Sequence, residues 1–291
     1  MPRAELLQRV RSCDGILCLL TDRIDQELLD AAGDSLKVVS TMSVGYNHID
    51  VAECHRRGIR VGFTPGVLDI STAETAVSLV FATKRRLHEC QQSALNGEWG
   101  LWHMYQYCGT DVHGSVVGVV GLGRIGTTFA RMMKNGFNCR ILYTSRHEHP
   151  EIAKEFDAEY CSMEDLLSKS DIVSLHCPLT QDATKLIGAK ELNQMKPTSV
   201  LINTSRGPVV DQEALYDALV NKQIAAAGLD VTDPEPLPPS HPLFTLTNCT
   251  ILPHIGSATI ATRNKMATIA VDNLLAGIQG APLEHQVGSP C

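Results

Sequence analysis

The chain is predicted to be an α/β protein built on a doubly wound parallel sheet. Short apolar runs alternate with helix-like stretches along its length, the order expected of βαβ units. A valine-rich run at 115–121 leads at once into Gly121-Leu122-Gly123-Arg124-Ile125-Gly126 and then into a helix-like stretch. The chain has 291 residues, 44% hydrophobic and 20% charged, with a mean hydropathy of −0.02. That profile suits a soluble globular protein with room for two domains.

Taken in order, the apolar run 15–20 predicts a strand and 25–32 a helix. Residues 37–42 and 60–63 are read as the second and third strands. Ile70 to Asn96 is read as one long helix, with Glu74 early and Lys84-Arg85-Arg86 later. Its apolar residues are too dense for full exposure, so it is expected to pack at an interface. After the glycine motif, Thr127–Lys134 continues as helix. Further strands are predicted at 139–144, 171–176, 199–203, 225–230 and 249–252. Helices are predicted at 151–156, 163–168, 189–194 and 211–220, with a last one at about 262–277. The Pro-rich segment 233–242 is read as a turn-rich loop.

Charge and cysteine usage narrow the class. With 25 basic against 32 acidic residues the net charge is −7, which argues against a nucleic-acid or anionic-membrane partner. No apolar run reaches the roughly 18 residues a membrane helix needs. The start, MPRAELLQRVR, lacks the apolar region of a signal peptide, and the C-terminal Ser-Pro-Cys is not a peroxisomal address. None of the ten cysteines forms a Cys-x-x-Cys pair, and most sit in apolar surroundings. Reduced thiols in a cytoplasmic protein are therefore expected, and no metal site.

The glycine motif has the context that gives it meaning, with a strand before it and a helix after it. Gly121 permits the tight turn, Gly123 lets the backbone approach a pyrophosphate, and Gly126 lets helix and strand pack closely. The helix start offers free N–H groups to the phosphates. At the end of the second strand an NAD-preferring site places Asp or Glu. Here that place holds Thr144-Ser145-Arg146, with no carboxylate before Glu148. A hydroxyl pair and a cation suit a 2′-phosphate, so NADPH is favoured as cofactor, with NADH the weaker alternative. Arg124, within the loop, adds positive charge.

Three later loops fall at the carboxyl ends of strands, the edge where such sheets bind ligands. They are Asn203–Gly207, Asp230–Glu235 and Leu252–Ser257. Arg206 suits clamping a carboxylate and polarising the adjacent ketone. His254 suits moving the proton on the substrate oxygen, with Glu235 orienting it. An ordinary histidine, with a pKa of about 6.5, is about one-quarter protonated at pH 7. One unit of upward shift from a nearby carboxylate makes that about three-quarters, as a reductase needs.

Together the runs GLGRIG, NTSRG, GLDVTDPEPLP and LPHIGSAT resemble, in order and spacing, the D-isomer-specific 2-hydroxyacid dehydrogenase family. Within it, STMSVGYNHID, TAETAVSL and ILPHIGSATIATRN are most similar to the glyoxylate/hydroxypyruvate reductases. The resemblance covers nearly the whole chain. It implies a Rossmann-type dinucleotide-binding domain at 68–259, inserted in a smaller flavodoxin-like substrate domain at 1–67 and 260–291, with hinges near 67 and 260.

The resemblance makes Arg206, Glu235 and His254 the catalytic three, and Val44 and Gly45 the amides that hold the substrate carboxylate. It places Asp230, Ile255, Gly256 and Ser257 against substrate, and Gly123, Arg124, Ile125, Arg146, Pro178, Thr204 and Asp230 against the cofactor. The implied reaction is NADPH-dependent reduction of glyoxylate and hydroxypyruvate to glycolate and D-glycerate. The implied assembly is a homodimer through the cofactor domain, with Trp102 a candidate to reach the partner's active site. Family members begin with a further strand and helix, so the substrate domain is expected to lack its first βα unit. That leaves two other readings open: a dinucleotide-sensing binding protein of the same fold, and a catalytically impaired truncated form.

Overall fold

The computed structural model describes residues 2–288. The C-terminal Ser289-Pro290-Cys291 lies outside the described residues. The chain divides into two compact units, one formed by the residues up to Leu68 and those from Ala258 on, the other by Asp69–Ser257.

The first unit opens with helix α1 (Arg3–Arg9), followed by β1 (Gly15–Cys18), α2 (Gln26–Ala32), β2 (Val38–Thr41), α3 (Val51–Arg56) and β3 (Arg60–Gly62). The three strands form a parallel sheet in the order β1-β2-β3. The Asp25 carboxylate accepts the Leu28 N–H and so starts α2, which buries Leu28, Leu29 and Ala32.

The second unit begins with α4 (Asp69–Lys84) and α5 (Leu87–Leu95). Strands β4 (Val116–Val120), β5 (Arg140–Thr144), β6 (Glu159–Tyr160), β7 (Ile172–Leu175), β8 (Val200–Asn203), β9 (Ala226–Leu229) and β10 (Cys249–Ile251) follow. Between them lie α6 (Arg124–Phe137), α7 (Pro150–Lys154), α8 (Met163–Lys169), α9 (Ala189–Gln194) and α10 (Gln212–Val220). The chain then returns to the first unit as α11 (Ile260–Ile278), capped by Thr259.

The seven strands are all parallel, in the order β10-β9-β8-β7-β4-β5-β6. The alternation of side chains along each strand serves both faces. Val117, Val119, Ile141, Tyr143 and Ile202 meet Leu79 and Val80 of α4 and Phe129 and Met133 of α6. Val120, Val173, Leu175 and Leu201 meet Leu166 of α8, Leu192 of α9 and Leu215 of α10. Each such side chain contributes roughly 1.5–3 kcal/mol by leaving water. The sheet winds outward in both directions from β4, whose neighbours are β5 and β7. That switch point lies at the carboxyl ends of the strands beside the glycine motif.

The single helix expected over Ile70–Asn96 is two. Arg86 takes a left-handed conformation (φ 55°) between α4 and α5. The cause lies 26 residues downstream, where the Thr110 N–H takes the Lys84 carbonyl at 2.8 Å. Arg86 itself turns its guanidinium to Glu89 and to the Cys108 carbonyl. The apolar face of α4, with Ala73, Ala76, Leu79 and Val80, enters this unit's own core. Strand β6 and helix α3 had no counterpart in the sequence reading.

All nine described cysteines are free; Cys18, Cys54, Cys139 and Cys249 are buried and Cys108 is exposed. No described helix is long and apolar enough to cross a membrane.

Candidate active site

The glycine loop is built as its residue types require. Gly121 sits at φ 96° and donates its N–H to the Thr144 carbonyl at 2.8 Å, tying the loop to the end of β5. A Cβ on Gly126 would lie 2.2 Å from the Gly121 oxygen, so only glycine lets α6 start so close to the turn. Gly123 caps α6 without a side chain, and no acidic residue occupies the first turn. The first N–H groups of α6, at Arg124, Ile125 and Gly126, therefore face the place where an anion would sit. The Thr204 hydroxyl after β8 is buried and has no hydrogen-bond partner among the described residues. These features fit a dinucleotide, whose pyrophosphate would lie on Gly123–Gly126.

At the end of β5, Thr144 and Ser145 are half-buried and Arg146 is exposed. The Ser145 hydroxyl donates to the His147 carbonyl. Arg146 forms no ion pair among the described residues, whereas Arg124 lies 3.7 Å from Asp69. Pro178 is exposed beyond β7, in the segment that carries His176. Burial pushes the His176 imidazole down to about 3, so it stays neutral beneath the glycine loop. Its Nε2 lies 2.9 Å from the Ser174 hydroxyl and its ring packs 4.9 Å from Phe129. Sequence reasoning missed this residue, since a lone histidine at a strand end carries no pattern.

Arg206, Glu235 and His254 are held by backbone that their neighbours fix. At the end of β8, the Asn203 Oδ1 accepts the Ser205 N–H at 3.0 Å and its hydroxyl at 2.8 Å, while its Nδ2 donates to the Arg206 carbonyl at 2.9 Å. This closes the turn that presents the half-buried Arg206. Burial holds the Arg206 pKa below the ordinary guanidinium value, and the Glu235 charge opposes that.

A Cβ on Gly207 would lie 1.9 Å from the Thr232 oxygen. Glycine there lets the Arg206 loop lie directly on the Glu235 loop. Thr232 donates its N–H to Glu235 Oε1 at 3.0 Å, and Asp233 donates to Gln212 Oε1 at 2.8 Å. Glu235 Oε2 meets His254 Nδ1 at 2.9 Å. Partial burial works to raise the Glu235 pKa. The His254 hydrogen bond and charge, the Thr232 N–H and the Arg206 charge outweigh it and hold the carboxyl below its ordinary value.

His254 has a left-handed backbone (φ 54°) and donates its N–H to the Asp230 carbonyl at 3.0 Å. Asp230 is 2% exposed and gives one carboxylate oxygen to the Ile255 N–H and the other to the Gly256 N–H, both at 2.7 Å. Burial lifts its pKa against the pull of those two N–H groups and His254, and Glu235 adds to the lift. Asp230 therefore anchors the loop that carries His254; Ile255 is exposed and Ser257 half-buried. Asn203, Gly207 and Thr232 were missed as supports. An Asn at a strand end before a turn was the one readable signal.

Val44 and Gly45 belong to the first unit, in the loop after β2. The Ser43 hydroxyl donates to the Gly45 carbonyl at 2.6 Å, and the Thr64 N–H donates to the Ser43 carbonyl at 2.9 Å. Thr41 Oγ1 lies 3.0 Å from both the Ser43 hydroxyl and His48 Nε2.

The geometry resembles that of known proteins in sequence and in structure. A family model described as D-isomer specific 2-hydroxyacid dehydrogenase, NAD binding domain, matches residues 77–256. The chain belongs to this family. A mouse glyoxylate reductase/hydroxypyruvate reductase is 52% identical over 287 residues, covering 99% of this chain and 88% of the relative. A solved structure from Thermus thermophilus superposes with a TM-score of 0.92 at 44% identity, covering 99% of this chain and 90% of that one. A Sinorhizobium meliloti NADPH-dependent glyoxylate/hydroxypyruvate reductase, solved in complex with NADP and malonate, has a TM-score of 0.85 at 33% identity. There the match covers 96% of this chain and 85% of that one. As a member of the family, the chain is an oxidoreductase that uses a nicotinamide dinucleotide.

Proposed function

We propose that this family member reduces glyoxylate and hydroxypyruvate to glycolate and D-glycerate with NADPH. The observation that carries the reading is the 2.9 Å contact of His254 Nδ1 with Glu235, in a loop packed against the one that presents Arg206. When bound, the dinucleotide supplies a hydride to C2 of the substrate. Arg206 binds the substrate carboxylate and polarises the ketone oxygen. His254 gives that oxygen its proton from Nε2, because Nδ1 is engaged by Glu235. The backbone N–H groups of Val44 and Gly45 are further proposed donors to the carboxylate.

Two observations support NADPH over NADH. The end of β5 has Thr144, Ser145 and Arg146 in place of a carboxylate, and Arg146 is exposed and without an ion pair among the described residues. The Sinorhizobium meliloti relative was solved with NADP. We further propose a homodimer that uses the arm after α5, where Leu101 is 95% and Trp102 82% exposed. The free cysteines fit a reducing compartment, for which we propose the cytoplasm.

The test follows oxidation of NADPH and of NADH with hydroxypyruvate, glyoxylate and pyruvate. Hydroxypyruvate and glyoxylate are expected to turn over, with NADPH the better donor. His254→Ala is expected to retain NADPH binding and lose roughly 10²–10⁴-fold in kcat. Near-normal turnover in that variant would overturn the assignment of the proton donor.

A further inference from the structure

The candidate phosphate site at the start of α6 has a carboxylate beside it. Asp69 is the first residue of α4, which packs along α6 in the core of the second unit. Its side chain is 13% exposed, and Oδ2 lies 3.7 Å from Arg124 Nε. Oδ1 is buried and meets no hydrogen-bond donor among the described residues. A carboxylate held in this way is poorly satisfied, because burial removes water and a single loose contact replaces it.

Arg124 is the charged group that acts on it. Burial raises the Asp69 pKa, and the Arg124 charge opposes that. The other cations of α6 are engaged elsewhere, Arg131 with Glu155 and Lys134 with Asp157. The Arg124 guanidinium is 60% exposed, and at 3.7 Å it makes an ion pair with Asp69 but no hydrogen bond. Arg124 is also the first residue of α6, whose free N–H groups face the place proposed for the pyrophosphate. One cation therefore stands between a resident carboxylate and an incoming dianion.

We propose that Asp69 is a positioning residue that opposes cofactor binding: it holds Arg124 in the free protein, must give it up to the pyrophosphate, and so keeps the dinucleotide loose enough to be exchanged. The arriving negative charge leaves Asp69 with neither water nor a counter-ion, so binding draws a proton from solvent onto its carboxylate. Spent cofactor must leave after every turnover, and a residue that loosens it serves the cycle. The inference rests on the placement of the pyrophosphate on Gly123–Gly126.

The experiment uses the full chain, NADP+ as probe, and 2′-AMP as a probe without the pyrophosphate. Asp69→Asn keeps the shape of the side chain and removes its charge. At about pH 7.5 this variant is expected to bind NADP+ about threefold or more tighter, to release it more slowly in stopped flow, and to bind 2′-AMP as before. As pH falls to about 5 the wild-type chain is expected to approach the variant, because a protonated Asp69 no longer holds Arg124. Comparing the two chains on one probe cancels the titration of the probe itself and of the groups they share. In an Arg124→Met background, Asp69→Asn is expected to lose most of its gain, since Asp69 acts through Arg124. Unchanged or weaker NADP+ binding by Asp69→Asn overturns the proposal. So does equal tightening of 2′-AMP, or a gap between the chains that does not vary with pH. Gly123→Asp tests the placement of the pyrophosphate separately: unchanged NADP+ binding there removes the premise, whereas weakened binding leaves Asp69→Asn to decide the role of Asp69.

Discussion

His254 owes its orientation to the residues that hold it. Glu235 engages Nδ1, Asp230 takes the backbone N–H groups that follow, and the ring keeps one nitrogen for the proposed proton transfer. Glu235→Gln keeps a side chain of the same shape and removes its charge. A charge-assisted bond of this kind contributes about 1.5–3 kcal/mol, so kcat is expected to fall roughly 10–100-fold while the KM for NADPH stays unchanged. The same residue has a signature in stability. Its pKa is lower in the folded chain than in the unfolded one, so the stabilisation is complete above the unfolded carboxyl value. It is lost as pH falls through the folded one. Denaturant titrations from neutral pH down to acid are expected to show a steeper loss in the wild-type chain than in Glu235→Gln; parallel losses would refute the coupling.

The start of α6 is the element proposed to hold the pyrophosphate of the cofactor. Gly123 has no neighbour within 4 Å of a Cβ, and its backbone is extended. Gly123→Asp is therefore expected to fold and even to cap the helix slightly better, by about a few tenths of a kcal/mol. The same carboxylate would sit at the proposed pyrophosphate site, so NADPH affinity is expected to drop tenfold or more. Fluorescence titration with NADPH, paired with a melting curve, separates the two effects; unchanged affinity would move the phosphates elsewhere. This element was legible in the sequence because all of its logic is local: valines, glycines at fixed spacing, then a helix. The break between α4 and α5 was not legible, because the Thr110 N–H that ends α4 comes from a loop far along the chain. The basic run Lys84-Arg85-Arg86 reads as part of one long helix, but α4 ends at Lys84, which is buried.

At the scale of the whole molecule, the arm after α5 leaves more apolar surface uncovered than its length warrants. Trp99, Leu101, Trp102, Met104 and Tyr105 are all exposed within seven residues. Sedimentation is expected to give a dimer at micromolar concentration. Trp102→Ala is expected to keep the dimer and lower kcat or raise the KM for hydroxypyruvate, as befits a side chain that serves the partner's site. Unchanged kinetics in an intact dimer would leave Trp102 a contact residue only. The parallel sheet and the rim that gathers the Arg206, Glu235 and His254 loops were readable, because βα alternation dictates which loops share an edge. What joins those loops was not readable. Gly207 looked like one more turn glycine, and Thr232 like one more loop threonine, until a Cβ on the one was found to strike the oxygen of the other.

That contact has a further consequence. Because Gly207 lets the two loops touch backbone to backbone, the proposed carboxylate clamp and the support of the proposed proton donor are packed as one part. Substitutions on either side then act on a shared object, so their costs do not sum. A double-mutant cycle between Ser205 and Thr232, two residues with no part in the chemistry, should reveal the coupling as energy that neither change accounts for alone.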